Sequence, residues 1–145
     1  MNLNTGWTRA MGLRFVSAEP GEVVAELEVG PIHLQPYGLV HGGVHAGLIE
    51  TVCSVGAHLN VADGKGVVGV ENHTSFIRAA TSGTLVARAT PVHVGRRAQL
   101  WQAEVRDGND RLLARGTLRT MVISLGGSEP GDGTKTADTD ASSGR

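Results

Sequence analysis

The segment from Val29 to Ala62 constrains the fold most, because its only Asp, Glu, Lys or Arg residue is Glu50. From about His41 to Ala62 its apolar residues recur with the period of an α-helix. One stripe comprises Val44, Leu48, Val52, Val55 and Leu59, and the opposite side carries Ala46, Ile49, Cys53 and Ala57. A helix that is apolar on nearly all sides is buried on nearly all sides. The rest of the chain must therefore wrap around this helix.

Segments on both sides of this helix alternate with the period of a β-strand. They comprise 13–17, 22–29, 67–78, 84–94, 99–105 and 111–122, and Asp107–Asp110 has the composition of a hairpin turn. Strands joined by tight turns pair antiparallel. The order β-β-α-β-β-β-β therefore predicts an α+β fold, with one long helix against a curved antiparallel sheet. A helix-capped barrel would use the same elements.

The length of 145 residues allows one ordinary domain and no second large core. We assign residues 10–125 to this domain and residues 1–9 to an N-terminal extension. Residues 126–145 contain no Val, Leu, Ile, Met or aromatic residue. Such a segment buries too little apolar surface to offset its ordering entropy, so we expect a disordered tail.

Charge and composition exclude several classes of function. The net charge of −1 argues against a polybasic nucleic-acid binder. No apolar run reaches the roughly 18 residues of a membrane span, and the N-terminus lacks the pattern of a signal peptide. The single cysteine, Cys53, rules out an intramolecular disulfide and suits a reducing compartment. We therefore expect a cytoplasmic protein that binds neither nucleic acid nor membrane.

Glu50 is the first candidate for a functional group. A carboxylate on the central helix of a core costs several kcal/mol unless it is paired or solvated. It could pair with an arginine from a strand, or face a wet crevice without a function. In a cleft it could instead act as a general base or nucleophile. Ser54 follows one helical turn later and either shares this site or bonds back to its own helix.

The start of the helix, His41-Gly42-Gly43, is the second candidate. The first amides of a helix are free and lie at its positive end, where an oxyanion or carbonyl can bind. Gly42 and Glu50 are eight residues apart, or about 12 Å along the helix axis. Both cannot reach one carbonyl carbon from the same helix. A carboxylate from a second subunit could, which favours a site at a dimer interface.

The remaining polar motifs are weaker. His41 and His45 have a metal-ligand spacing, but no H-E-x-x-H motif is present, and we expect no metal. His41 is interpreted as a hydrogen-bond donor near the helix start, and His45 as a packing or interface residue. Arg96 and Arg97 follow Gly95 in a turn, where they could hold phosphates or form a solvated pair. Cys53, in an apolar helix, is interpreted as inert packing.

The segment from Gln35 to Gly43, with Glu50 and Ser54, resembles the PaaI-type hotdog-fold thioesterases, which include one branch of the 4-hydroxybenzoyl-CoA thioesterases. The resemblance covers about residues 10–123, and the order of elements matches the hotdog fold.

The resemblance implies a role for each matching residue. Gly42 would donate its amide to the thioester carbonyl, assisted by His41 and by Gln35 at the family's amide position. Glu50 of the facing subunit would act as nucleophile or as base for water, and Ser54 would position it. The implied substrate-binding and coenzyme A-binding residues are Gly43, Asn72, His73, Phe76, Arg96 and Arg97.

The sequence therefore predicts hydrolysis of acyl-CoA or aryl-CoA thioesters, without a metal or organic cofactor. We expect a homodimer that pairs into a homotetramer. A hotdog hydratase or dehydratase is one alternative, although it would be expected to use an Asp and a His on the helix. A non-catalytic acyl-CoA-binding protein is the other.

Overall fold

The computed structural model describes residues 2–125, which form two α-helices and six β-strands. In chain order they are α1 (Gly6–Ala10), β1 (Arg14–Glu19), β2 (Glu22–Glu28), a 3-10 turn (Pro31–His33), α2 (Gly42–Leu59), β3 (Lys65–Phe76), β4 (Thr84–Val94), β5 (Ala98–Asp107) and β6 (Leu112–Ser124). The expected order of two strands, a long helix and four strands is confirmed. The expected tail, residues 126–145, lies outside the described residues. Within residues 2–125, neither helix is long and apolar enough to cross a bilayer.

All six strands belong to one antiparallel sheet, in the order β1-β2-β4-β5-β6-β3. The expected antiparallel sheet is therefore confirmed. Strand β3 follows α2 in the chain and lies at the edge of the sheet opposite β1, where it pairs with β6. Its second edge has no neighbour among the strands of residues 2–125. An open edge of this length is a surface on which another strand can pair.

The core lies between α2 and the sheet. Leu48, Ile49 and Val52 are fully buried on α2. The fully buried ring of Trp101 lies on Gly56, where an added Cβ would come within 2.5 Å of the ring. The indole N–H of Trp101 donates to Gln99 Oε1 (2.9 Å), and Gln99 Nε2 donates to the Ala57 carbonyl (3.1 Å). The helix and β5 are thus joined by close packing and by satisfied buried polar groups.

Helix α2 is buried on all sides but one, in agreement with the prediction of burial on nearly all sides. Ala46, Gly47, Glu50, Thr51 and Ser54 are only half-buried. These residues recur at intervals of three and four, so they form one stripe along the helix. The sheet covers the remaining sides of α2, whereas this stripe is only partly covered.

The register shifts in four of the five strand pairs, and two of these irregularities, in β6 and β3, break the expected alternation of the strands. In β6, Leu113 and Ala114 are both buried, because the register with β5 shifts beside them. The predicted single apolar face of residues 111–122 is therefore wrong at Leu113. In β3, the register with β6 shifts between Gly69 and Glu71, which leaves Val70 as the extra residue.

Helix α1 begins inside the region that the sequence assigns to an N-terminal extension. Its Trp7 ring lies against Gly47 of α2, where an added Cβ would meet the ring at 2.5 Å. The extension therefore packs beside the half-buried stripe of α2. The domain boundary at residue 10 stays a prediction.

Candidate active site

The carboxylate of Glu50 lies between α2 and β3. Asn72 Nδ2 of β3 donates to Glu50 Oε2 at 3.0 Å and to the Ala46 carbonyl at 3.1 Å. Among residues 2–125, no Lys, Arg or His side chain forms an ion pair with Glu50. The alternative that an arginine from a strand neutralises it is therefore wrong within this part of the chain. Glu50 instead faces an amide donor and open space.

Gly69 makes room for this carboxylate at the bulge of β3. A Cβ added at Gly69 would collide with Glu50 Oε1. Only a residue without a side chain allows the backbone to approach the carboxylate this closely. Strand β3 therefore contacts both oxygens of Glu50, one through Asn72 and one through bare backbone.

A groove of about 620 Å³ runs along the half-buried stripe of α2. Glu50 and Ser54 lie in it beside residues of α1 and β1. Its other lining residues include Leu3, Trp7, Phe15, Gly47, Thr51 and Val55. Thr51 donates its hydroxyl to the Gly47 carbonyl (2.7 Å), whereas Ser54 Oγ forms no hydrogen bond within residues 2–125. The groove thus combines apolar walls with a carboxylate and a free hydroxyl.

The start of α2 is fixed by the preceding loop. The His41 amide donates to the His33 carbonyl (2.8 Å), and the Val40 amide donates to the Ala80 carbonyl (2.8 Å). His41 caps the helix, because its Nδ1 accepts from the Gly43 amide at 2.8 Å. In a neutral ring the proton is then on Nε2, which is the nitrogen left to donate. Gly43 has no room for a Cβ, which would lie 2.9 Å from His41 Nδ1.

The amide of Gly42 has no acceptor within residues 2–125, as expected for the first amide of a helix. The Phe76 ring of β3 lies over the Gly42 α-carbon, where a Cβ would sit 3.0 Å from the ring. Phe76 also contacts the ring of His45, with centroids 6.4 Å apart. His45 is buried, so the expectation of a packing residue is confirmed, and its burial lowers its pKa.

Cys53 is buried beside Glu50. Burial, and secondly the charge of Glu50, raise the pKa of the Cys53 thiol to about 12. The thiol is therefore protonated at neutral pH and is no nucleophile. This agrees with the interpretation of Cys53 as inert packing.

Several of the site residues expected from sequence lie elsewhere in this single chain. Gln35 Oε1 accepts from the Tyr37 amide (2.9 Å) in the loop before α2. His73 points to the opposite side of the sheet from Asn72 and lies in a groove beside Ser75 and Arg115. Arg96 and Arg97 line a groove with His93 and Arg119 at the turn between β4 and β5. One chain therefore brings together Glu50, Ser54 and Asn72, and separately His41, Gly42, Gly43 and Phe76.

Sequence reasoning did not single out Trp7, Gly47 or Gly69. Gly47 precedes Glu50 by three residues and so lies on the same side of the helix, which was a usable signal of a close neighbour. Gly69 had no such signal, because its role depends on the bulge at Val70. Within residues 2–125, no three His, Cys, Asp or Glu side chains are grouped as metal ligands. The absence of a metal from the reaction stays a prediction.

A protein-family model described as the thioesterase superfamily matches residues 37–114. A Mycobacterium tuberculosis protein named as an esterase is 41% identical over 126 residues, which cover 85% of this chain and 90% of the relative. A 1,4-dihydroxy-2-naphthoyl-CoA hydrolase of Listeria monocytogenes is 32% identical over 108 residues, which cover 74% and 88%.

Solved structures agree with these matches. A thioesterase of Haemophilus influenzae superposes with a TM-score of 0.78 at 33% identity, over 81% of this chain and 82% of that one. The Escherichia coli PaaI protein superposes with a TM-score of 0.77 at 22% identity, over 83% and 86%, which shows the fold alone. The hotdog fold expected from the sequence is therefore confirmed.

Proposed function

This chain belongs to the thioesterase superfamily and is a thioester hydrolase, and we propose that it hydrolyses the thioesters of coenzyme A with Glu50 as its catalytic carboxylate. The observation that carries the proposal is the setting of Glu50. It is the only charged residue between Val29 and Ala62, it has no basic partner in residues 2–125, and it faces an apolar groove. A carboxylate that faces an apolar groove without a basic partner is available to accept a proton or to attack a carbon atom.

The reaction needs a base or nucleophile and a donor to the carbonyl oxygen. In one route Glu50 takes a proton from water and the water oxygen attacks the carbonyl carbon. The C–S bond then breaks, and Glu50 returns the proton to the leaving thiolate. In the other, a Glu50 oxygen attacks, the thiolate leaves, and water then hydrolyses the mixed anhydride. In both, the products are the free acid and the thiol of coenzyme A. The oxyanion that forms in between is stabilised by the Gly42 amide.

We assign Gly42 and Glu50 of one site to different subunits. The helix spacing of about 12 Å separates them within one chain. The open edge of β3, with its exposed Val68, Val70 and Phe76, supports a homodimer paired along this strand. Such pairing would place Phe76 of each β3 near β3 of the partner subunit. Pairing of two dimers into a homotetramer is part of the same proposal, as is a location in the cytoplasm.

The residues around these two groups have supporting roles. His41 Nε2 and the side chain of Gln35 would assist Gly42 at the carbonyl oxygen, and Gly43 lets the loop approach the substrate. Ser54 Oγ, which is free of other bonds within residues 2–125, would orient the water or the carboxylate. The roles of His41, Gln35 and Ser54 use hydrogen-bonding atoms that have no partner within residues 2–125, namely His41 Nε2, Gln35 Nε2 and Ser54 Oγ.

The first prediction concerns Glu50. Glu50→Gln keeps the size of the side chain and removes its basicity, so kcat for acyl-CoA hydrolysis should fall by about 10²- to 10⁴-fold with little change in KM. We would measure thiol release from a panel of aryl-CoA and alkyl-CoA thioesters. Glu104→Gln, a carboxylate paired with Arg106 on the sheet, is the matched control and should retain wild-type rates.

Three results would contradict the proposal. Wild-type turnover by Glu50→Gln would remove Glu50 from the chemistry. Binding of acyl-CoA by the wild type without thiol release would leave a non-catalytic acyl-CoA-binding protein. Formation of a hydroxyacyl-CoA from an enoyl-CoA in the same panel would favour the hydratase alternative.

We place the acyl group in the groove between α1 and α2. Its lining is mainly apolar, and both Glu50 and Trp7 are part of it. The relative that acts on 1,4-dihydroxy-2-naphthoyl-CoA supports an aromatic acyl group, which an indole ring can stack against.

The second prediction uses fluorescence. The chain has two tryptophans, and Trp101 is fully buried whereas Trp7 is 41% exposed. Phenacyl-CoA, a thioether that cannot be hydrolysed, should change the emission of Trp7, and coenzyme A alone should not. In Trp7→Phe the change should vanish while calorimetry still detects binding. If phenacyl-CoA changes the emission of Trp7→Phe as much as that of the wild type, the acyl group binds elsewhere.

The third prediction concerns Arg96 and Arg97, which we assign to the phosphates of coenzyme A. A hydrogen bond from a charged group contributes about 1.5–3 kcal/mol, so Arg97→Ala should raise KM for an acyl-CoA by roughly 10- to 100-fold. It should leave KM unchanged for the same acyl thioester of N-acetylcysteamine, which lacks phosphates. Arg111→Ala, in the hairpin with Asp107, is the control. Equal effects on both substrates would contradict the assignment.

A further inference from the structure

The amide of Asn72 is oriented by a second residue of β3. Thr74 Oγ1 donates to Asn72 Oδ1 at 2.7 Å, so the carbonyl end of the Asn72 side chain faces Thr74. The amino end then faces α2. Its two N–H groups are both used, one on the Ala46 carbonyl and one on Glu50 Oε2. Asn72 therefore has no donor left for a substrate in this arrangement.

We infer that Asn72, oriented by Thr74, is a positioning residue that holds the Glu50 carboxylate in its reactive geometry, an inference that rests on the proposed function. Sequence reasoning assigned Asn72 to the substrate wall. Its contacts assign it to the carboxylate instead, because it links the helix backbone, Glu50 and β3 in one chain of hydrogen bonds.

The two oxygens of Glu50 are thereby made unequal. Oε2 is occupied by Asn72, whereas Oε1 lies above Gly69 and has no hydrogen-bond donor within residues 2–125. Oε1 is therefore the oxygen free to take a proton or attack carbon. Loss of the Asn72 donor would let the carboxylate rotate about its side-chain torsions, and small misplacements of a reacting group are costly in rate.

The fourth prediction is a set of β3 variants assayed for acyl-CoA hydrolysis. Asn72→Ala should lower kcat by about 10- to 100-fold with KM within about 2-fold, because the group that reacts is misplaced while the groove is intact. Asn72→Asp should be slower still, since it sets a second carboxylate against Glu50. Thr74→Val should lower kcat by a smaller factor, because Asn72 remains but its side-chain amide is free to rotate.

Two controls separate positioning from structure. Thr84→Val removes a threonine hydroxyl that donates to Glu28 Oε2 at 2.7 Å, outside the candidate site, and it should leave kcat unchanged. In a Glu50→Ala background, Asn72→Ala should cause no further loss, because there is no carboxylate to position. Asn72 is exposed in the single chain but lies on the strand that we propose to pair between subunits. Thermal melting and size-exclusion chromatography of each variant therefore check that both the fold and the dimer are retained.

The outcomes distinguish this inference from the proposed function. If Glu50→Ala is inactive but Asn72→Ala has a wild-type kcat, only the inference fails. If Asn72→Ala raises KM at constant kcat, Asn72 binds substrate and the inference is wrong. If Glu50→Ala is as active as the wild type, the proposed function itself fails.

Discussion

The packing of α2 against the sheet is the interaction on which the rest of the structure depends. The helix is apolar on all but one stripe, so the chain must surround it, and the six strands do so in one antiparallel layer. Leu48, Ile49 and Val52 form the buried contact with this layer. The stripe left half-buried carries Glu50, and strand β3 passes beside it at the edge of the sheet. Fold and candidate site therefore follow from the same constraint.

Strand β3 links the two halves of the site. At one point it holds Glu50 through Asn72 and the bare backbone of Gly69, and at another it lays Phe76 over Gly42. Because β3 is also an edge strand of the sheet, pairing there would set the Glu50 of one subunit near the helix start of the other. The edge strand at which two subunits would associate is thus also the strand that contacts and orients the Glu50 carboxylate.

Much of the fold could be predicted from the sequence, because strand and helix periods and turn residues are local signals. Glu50 stood out as the single charge in an apolar segment. The contacts of β3 could not be predicted, since the bulge at Val70 shifts its register and neighbouring residues of a strand face opposite sides. Asn72 and His73 were therefore assigned together although they lie on opposite faces. Trp7 was missed because the periodicity of a five-residue helix is too short to detect.

The most direct test of the central claim, a site shared by two subunits, is complementation between two inactive variants. Glu50→Ala removes the carboxylate, and Gly42→Pro removes the amide at a first helical position where proline is tolerated. Gly42→Ala, which meets Phe76 in the same way but keeps the amide, is the control. Co-expression should restore acyl-CoA hydrolysis to about a quarter of the wild-type rate, because half of the dimers are mixed and each holds one intact site. Mixed dimers that remain inactive would contradict a shared site.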